Sequence, residues 1–165
     1  MLQDGSQPGY VQAYSPWPIE GDFDLTVRYQ ASPVDIQPGQ ERYIHVAVTS
    51  NDESNHAYIR NVLTADRHWY NVDMAINGGW YHYREAPTTD ESGFLRLVRQ
   101  NGLFSAYYQQ DGEWVRLDEW QESFTDPVYL DLRYEWVSPE PILTQVRFTI
   151  ERLTAPEGDW IGPGG

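Results

Sequence analysis

Two turn dipeptides, Asn101-Gly102 and Asp111-Gly112, divide the stretch RLVRQNGLFSAYYQQDGEW (residues 96–114) into runs of alternating apolar side chains. Asn-Gly and Asp-Gly readily adopt the positive φ angles of a type I′ turn, whose twist matches that of the strands it joins. The stretch therefore predicts a three-stranded antiparallel meander. A third signal of this kind, Asn77-Gly78-Gly79, lies between the strand-like runs Trp69–Ile76 and Trp80–Arg84, so tight hairpins are expected to recur along the chain.

Alternation with a period of two residues extends beyond this meander. Phe23, Leu25, Val27 and Tyr29 alternate with polar residues, and similar patterns continue to a final run at residues 146–150. These patterns predict roughly ten short strands joined by frequent turns, as in an antiparallel β-sandwich or barrel. The single helical candidate is Arg116–Phe124, for which a loop turn is the alternative.

The length of the chain fits one domain. Its 165 residues are enough to bury a core without metal or disulfide support. We expect one domain over residues 1–165, with flexible ends at about residues 1–9 and 156–165. Cysteine is absent, which excludes disulfides, thiolate metal sites and cysteine nucleophiles.

The charge balance limits the classes of partner. The net charge is −14 and the pI is near 4.4, whereas nucleic-acid binding requires clustered Lys and Arg. No apolar run approaches the ~20 residues of a membrane helix, so no membrane insertion is expected. The acidic balance favours a secreted or periplasmic location, although the first eight residues carry no signal-peptide pattern.

The meander resembles a known superfamily. Residues 93–99, followed by Phe104–Tyr108 and Asp111–Trp114, are similar to the meander of concanavalin A-like lectin/glucanase domains, and the runs at 21–27 and 146–150 extend the similarity. The resemblance implies a jelly-roll sandwich. The superfamily includes lectins, endoglucanases, polysaccharide lyases and modules without assigned activity, so the fold alone does not give the function.

Two catalytic branches of that superfamily have their own motifs. The hydrolase branch carries a Glu-x-Asp-x-x-Glu pattern, which this sequence lacks. Tyr43-Ile44-His45 is similar to the Gln-Ile-His of a lyase branch, whose Lys- and Tyr-bearing strand has no counterpart here. Residues 52–86 lie outside the resemblance, and a ligand site would have to vary there.

Aromatic density around Asn77-Gly78-Gly79 gives the first candidate site. Aromatic faces pack on the apolar face of a pyranose while polar neighbours hydrogen-bond its hydroxyls. If Val72 and Met74 point inward, alternation directs their neighbours outward. The candidate ligand-binding residues of this hairpin are Trp69, Asn71, Asp73, Trp80 and His82. The alternative is that these rings cover the sheet or brace the hairpin by cross-strand pairing.

A second candidate group lies on neighbouring strands. His45, on the polar side of its strand, and Arg60 are expected to share a groove with Tyr58, where they could position a uronate. For a lyase, neutral His45 or a nearby Tyr would act as base while Arg60 neutralises the carboxylate. The alternative is an ordinary polar sheet surface.

Acidic residues suggest further possibilities. A hydrolase would need two facing carboxylates, and the candidates are Asp118, Glu119 and Glu122, or Asp131 and Glu135. The four histidines show no metal spacing, so we expect no cofactor, with calcium at Asp22 and Asp24 as the alternative. Arg96 and Arg99 are expected to pair with Asp131, Glu135 or neighbouring acids.

The sequence as a whole favours a non-catalytic recognition module that binds a polysaccharide or other glycan through an aromatic-rich face. One alternative is a glycan-active enzyme of the same fold, either a glycoside hydrolase or a polysaccharide lyase. The other is a structural or protein-binding accessory domain of a host enzyme or partner protein, in which the aromatic residues would be interface anchors.

Overall fold

The computed structural model describes residues 7–120, 124–142, 144–156 and 160–161, and these residues form strands, turns and loops without helix. The first six strands are β1 (Gln7–Tyr14), β2 (Phe23–Ala31), β3 (Glu41–Ser50), β4 (His56–Thr64), β5 (His68–Ile76) and β6 (Gly79–Pro87). The next six are β7 (Ser92–Gln100), β8 (Leu103–Gln110), β9 (Glu113–Glu119), β10 (Val128–Ser138), β11 (Val146–Thr154) and β12 (Trp160–Ile161). No helix in the described chain has the length and apolar character needed to cross a membrane.

The strands form two antiparallel sheets of six strands each. Sheet A has the order β1-β10-β3-β4-β5-β6, and sheet B has the order β12-β11-β2-β7-β8-β9. Strands close in sequence pair as hairpins, whereas β10 lies between β1 and β3 and β11 lies beside β2. The predicted antiparallel jelly-roll sandwich is therefore confirmed.

The three turn dipeptides adopt the backbone that their sequences predict. The φ angles are 51° and 75° at Asn77 and Gly78, 51° and 78° at Asn101 and Gly102, and 53° and 83° at Asp111 and Gly112. These values are those of type I′ hairpins. The Asp22 carboxylate accepts hydrogen bonds from the backbone N–H groups of Asn101 (2.7 Å) and Gly102 (3.2 Å), which ties one hairpin to the start of β2.

The core lies between the two sheets and follows the predicted alternation. Phe23, Leu25, Val27 and Tyr29 of β2 are all buried, as are Ile44, Val46 and Val48 of β3. Trp120 and Phe124, which follow β9, also pack in this core against Phe104. Because these side chains occupy one face of each strand, the alternate positions face away from the core.

Some sequence expectations are wrong. Residues 7–9 and 160–161, assigned to flexible ends, lie in β1 and β12. Residues 116–119 belong to the segment expected to form either a helix or a loop turn, but they complete β9 because their backbone pairs with β8. Residues 121–123 lie outside the described chain.

Of the partners expected for Arg96 and Arg99, Asp131 and Glu135 are wrong because they belong to the opposite sheet, whereas a neighbouring acid is confirmed for Arg96. Arg96 makes two hydrogen bonds to the Asp24 carboxylate, at 2.7 and 2.6 Å. Arg99 is buried and donates to the carbonyl oxygens of Gly21 and Asp126 at 2.6 and 2.8 Å.

One end of the sandwich contains a buried polar network. The fully buried Arg42 donates to Glu91 (2.6 Å) and to Asn61 Oδ1 (3.1 Å). Asn61 Nδ2 donates to the Asp90 carbonyl oxygen at 3.1 Å, and Tyr70 donates to the Asp90 carboxylate at 3.0 Å. The network therefore anchors the segment between β6 and β7 to sheet A.

We expect Arg42→Met, which keeps most of the side-chain volume, to lower the free energy of unfolding by about 3 kcal/mol, because Glu91 and Asn61 lose their buried donor. Urea unfolding followed by tryptophan fluorescence measures this change. Arg28→Met is the matched control: Arg28 and Glu151 are partly exposed, and the loss there should be less than about 1 kcal/mol. Equal losses in the two variants would contradict a stabilising role for the network.

Candidate functional site

The outer face of sheet A carries the side chains that point away from the core. Ile44, Val46 and Val48 are buried inside, so His45 and Ala47 between them lie on this face. In β5 the inward residues are Tyr70, Val72 and Met74, so Trp69, Asn71 and Asp73 lie outside, as the alternation predicted.

Cross-strand pairing aligns the outer-face side chains in rows. One row runs through Gln12, Arg133, His45, Arg60 and Asn71. The adjacent row runs through Tyr14, Asp131, Ala47, Tyr58 and Asp73. Directly opposite residues on neighbouring strands are close enough for their side chains to interact, so each row is a line of contacts across the sheet.

A depression of about 350 Å³ opens on this face, and we refer to it as the Ala47 depression. Ala47 is the smallest side chain in its row and lies between Asp131 and Tyr58. The outer face of sheet A is therefore indented at Ala47, where no long side chain fills the row. The other residues that line the depression are Tyr14, His45, Thr49, Glu53, His56, Tyr58, Arg60, Asp131, Arg133 and Glu135.

Arg60 is held in a defined position at one side of the depression. Its Nε donates to Asn71 Oδ1 at 2.6 Å. The guanidinium carbon lies 4.8 Å from the ring centroid of Tyr43 and 4.8 Å from that of Tyr58, distances typical of cation–π contacts. Tyr58 also packs on His56, with stacked rings 5.9 Å apart, and burial raises the pKa of its hydroxyl to about 12.

His45 lies beside Arg60 and is almost completely buried. Its Nε2 is 3.4 Å from Glu135 Oε2 without completing a hydrogen bond. Burial lowers the pKa of His45, and the nearby Arg60 and Arg133 act in the same direction, whereas Glu135 opposes the shift. The imidazole is therefore neutral at physiological pH. The pKa of Glu135 is itself lowered, chiefly by its interaction with His45, so this carboxylate is ionised.

Asp131 forms the opposite side of the depression. One of its oxygens, Oδ2, accepts hydrogen bonds from Gln12 Nε2 and Arg133, both at 2.9 Å. Its other oxygen, Oδ1, is buried and has no hydrogen-bond partner among the described residues. The Arg133 guanidinium also lies over the ring of Tyr10, at 5.4 Å from its centroid. The depression therefore has Arg60 on one side, and the Asp131 carboxylate with the Arg133 guanidinium on the other.

The predicted site residues fall into separate groups. His45, Tyr58 and Arg60, from the second candidate group, line the depression together. Asn71 and Asp73 lie one strand further and support it: Asn71 binds Arg60, and Asp73 accepts from the Tyr58 hydroxyl at 3.5 Å.

Trp69 is not among the residues that line the depression. One face of Trp69 is covered by Arg67, whose guanidinium carbon lies 4.4 Å from the ring centroid and which pairs with Glu85. The backbones of Trp80 and His82 belong to β6, opposite Ala75 and Met74, but their side chains lie outside the described part.

Sequence reasoning missed several residues of the depression. Ala47 carries no chemical signal, since its contribution is its small size. The alternation along β10 predicted the strand surface on which Arg133 lies. Its position next to His45 follows only from the pairing of β10 with β3, which alternation does not predict. Tyr14 was missed because β1 was not predicted as a strand.

The carboxylates considered as hydrolase or calcium candidates lie in different parts of the two sheets. Asp131 and Glu135 lie on the outer face of sheet A on either side of Arg133, whereas Asp118 and Glu119 lie on β9 of sheet B. Glu122 is outside the described chain. Asp22 and Asp24, the calcium candidates, accept hydrogen bonds from a turn backbone and from Arg96. Within the described residues no group of three or more His, Asp or Glu could hold a metal ion.

We expect the free energy of unfolding to fall as the pH is lowered from 7.5 to 5.5, and to fall less in His45→Gln. An unfolded histidine gains its proton near pH 6.5, whereas the pKa of folded His45 is lower, so the unfolded state binds more protons between those two values. The difference is up to about 1 kcal/mol, measured by urea unfolding at both pH values. His56 and His68, whose pKa values burial also lowers, retain part of the dependence. An unchanged decline in the variant would contradict the neutral, buried state of His45.

Comparisons with known proteins bear on the fold. No protein-family model and no curated protein sequence matches the chain. Among solved structures, a functionally unknown protein from Saccharomyces cerevisiae superposes with a TM-score of 0.62 and 19% identity, covering 93% of this chain and 76% of that one.

Two further solved structures have named activities or folds. A legume lectin-like domain from Entamoeba histolytica gives a TM-score of 0.53 at 9% identity, covering 87% of this chain and 78% of that one. A β-1,3-1,4-glucanase (lichenase) derived from a mouse hindgut metagenome gives 0.55 at 11%, covering 77% of this chain and 58% of that one. At these identities the similarity concerns the fold. The chain has the jelly-roll fold of concanavalin A-like lectins and glucanases.

Proposed function

We propose that this protein is a glycan-binding module whose binding site is the Ala47 depression on the outer face of sheet A. The observation that carries the proposal is the combination of side chains around one small residue. Tyr14, whose side chain is exposed, supplies aromatic surface, while Arg60, Asp131 and Glu135 supply donors and acceptors. A sugar ring presents an apolar face and hydroxyl groups together, and this lining complements both.

The volume of the depression and the fixed positions of its lining side chains support the same proposal. About 350 Å³ lies at the lower end of the range for small-ligand pockets, which suits one or two sugar units. The lining is ordered before any ligand arrives, since Arg60 is fixed by Asn71 and Asp131 by Gln12 and Arg133. A preorganised site avoids part of the entropy cost of binding.

The solved structures give this proposal its context. A legume lectin-like domain and a lichenase share the fold, so a glycan-related role is compatible with it. The strong negative charge of the chain disfavours nucleic acids as ligands.

We expect Ala47→Leu to weaken glycan binding at least tenfold, because the larger side chain occupies the depression. The measurement is affinity electrophoresis of the wild type and variant on a panel of polysaccharides, followed by calorimetry on those that retard the protein. Ala65→Leu is the matched control, because Ala65 is exposed in the connection between β4 and β5. Its binding should equal that of the wild type.

Other results of these measurements would favour an enzyme or a protein-binding domain, or would exclude the depression as the binding site. Release of reducing ends or unsaturated products from a retained polysaccharide would favour an enzyme, with Asp131, Glu135 or His45 as the residues to replace first. If Ala47→Leu binds as tightly as the wild type, the depression is not the binding site. If no polysaccharide retards the wild type, the glycan-binding proposal fails and the protein-binding alternative gains support.

A further inference from the structure

Arg60 differs from most arginines of this chain in lacking a carboxylate partner. Within the described residues, six other arginines form ion pairs: Arg28, Arg42, Arg67, Arg96, Arg116 and Arg133. The chain has 25 acidic residues and only 11 arginines, with no lysine, so acidic partners are abundant.

The surroundings hold the guanidinium and leave its terminal nitrogens available. Only Nε is used, in the 2.6 Å hydrogen bond to Asn71 Oδ1. Tyr43 and Tyr58 cover the guanidinium with their rings and accept no hydrogen bond from it. In the described part of the chain, the two terminal nitrogens have no hydrogen-bond acceptor. They form the planar, two-pronged donor that matches a carboxylate.

The Asn71 amide adds to the donor character of this side. Because Nε of Arg60 can only donate, the amide oxygen must face it, and this fixes the orientation of the amide. Asn71 Nδ2 is then a buried donor that lacks an acceptor among the described residues. Arg60 and Asn71 together therefore offer donors and no free acceptor at this end of the site.

The opposite side of the depression carries hydrogen-bond acceptors together with the Arg133 guanidinium. Asp131 Oδ1 is a buried acceptor for which the described residues supply no donor, and the ionised Glu135 carboxylate lies beside the neutral His45. The negative charge of Asp131 is compensated by Arg133 at 2.9 Å. A ligand that fits both sides carries an acceptor group toward Arg60 and hydroxyl donors toward Asp131 and Glu135.

We infer that the glycan bound in the Ala47 depression is acidic, with a sugar carboxylate held by the two terminal nitrogens of Arg60. A uronic acid unit has the required groups, namely one carboxylate and several hydroxyls on one ring. This inference rests on the proposed function, because it specifies the ligand class of the same site.

The test compares uronate polymers with their carboxyl-reduced forms. Alginate, polygalacturonate and hyaluronan are each paired with the same polymer after reduction of its carboxylates to primary alcohols, which keeps the ring and linkage and removes the charge. The wild type should bind at least one acidic polymer about 10- to 100-fold more tightly than its reduced form, the range expected for a charge-assisted hydrogen-bonded pair.

Variants assign that preference to Arg60. Arg60→Gln should remove it, and Arg60→Lys, which keeps the charge but loses the planar pair of donors, should retain only part of it. Arg67→Gln removes the same charge from the same face outside the depression, where Arg67 packs on Trp69, and should leave the preference unchanged. Circular dichroism confirms that each variant is folded.

The outcomes separate this inference from the proposed function. Equal binding of acidic and reduced polymers, abolished by Ala47→Leu, would overturn the inference and leave the glycan site in place. A preference that survives Arg60→Gln or Arg60→Lys in full would also overturn it. Binding of neither form, or binding insensitive to Ala47→Leu, would remove the proposed function and the inference with it.

Discussion

Packing of the two sheets against each other determines which side chains form the candidate site. Successive side chains of a strand point to opposite faces, so burying Ile44, Val46 and Val48 in the core leaves no freedom for His45 and Ala47, which must lie outside. A shift of one residue in the pairing of β3 would exchange the two sets. The chemistry of the outer face is therefore fixed by the apolar residues on the other side of the same strands.

The order of strands in sheet A adds the second constraint. His45 meets Arg133 and Glu135 because β10 pairs with β3, and it meets Arg60 because β4 pairs with β3 on the other side. Each residue of the depression is thus supplied by a strand that is itself held by its neighbours. A site built on paired strands keeps its geometry better than one built on loops, since backbone hydrogen bonds restrain every contributing residue.

The extent of sequence-based prediction follows from these two constraints. The hairpins were predictable because Asn77-Gly78, Asn101-Gly102 and Asp111-Gly112 determine their own backbone, and the outward parity of Asn71 and Asp73 followed from the apolar residues between them. Contacts between strands that are distant in sequence were not predictable, because alternation shows which face of the sheet a residue lies on but not which strand lies beside it. Arg96 illustrates this limit: its acidic partner is Asp24 of β2, on the same sheet, and not an acid of β10 on the other.

The net charge of −14 and a carboxylate-binding site are compatible because they act over different distances. At physiological ionic strength the screening length is about 8 Å, so most of the 25 acidic residues contribute little at Arg60. Contacts at hydrogen-bond distance decide the affinity there, and in the described chain Arg60 has no carboxylate that competes for its terminal nitrogens. The overall charge still slows the approach of a long polyanion, since repulsion acts during the encounter. Repulsion therefore lowers the association rate, whereas the contacts at Arg60 determine how slowly a bound uronate dissociates.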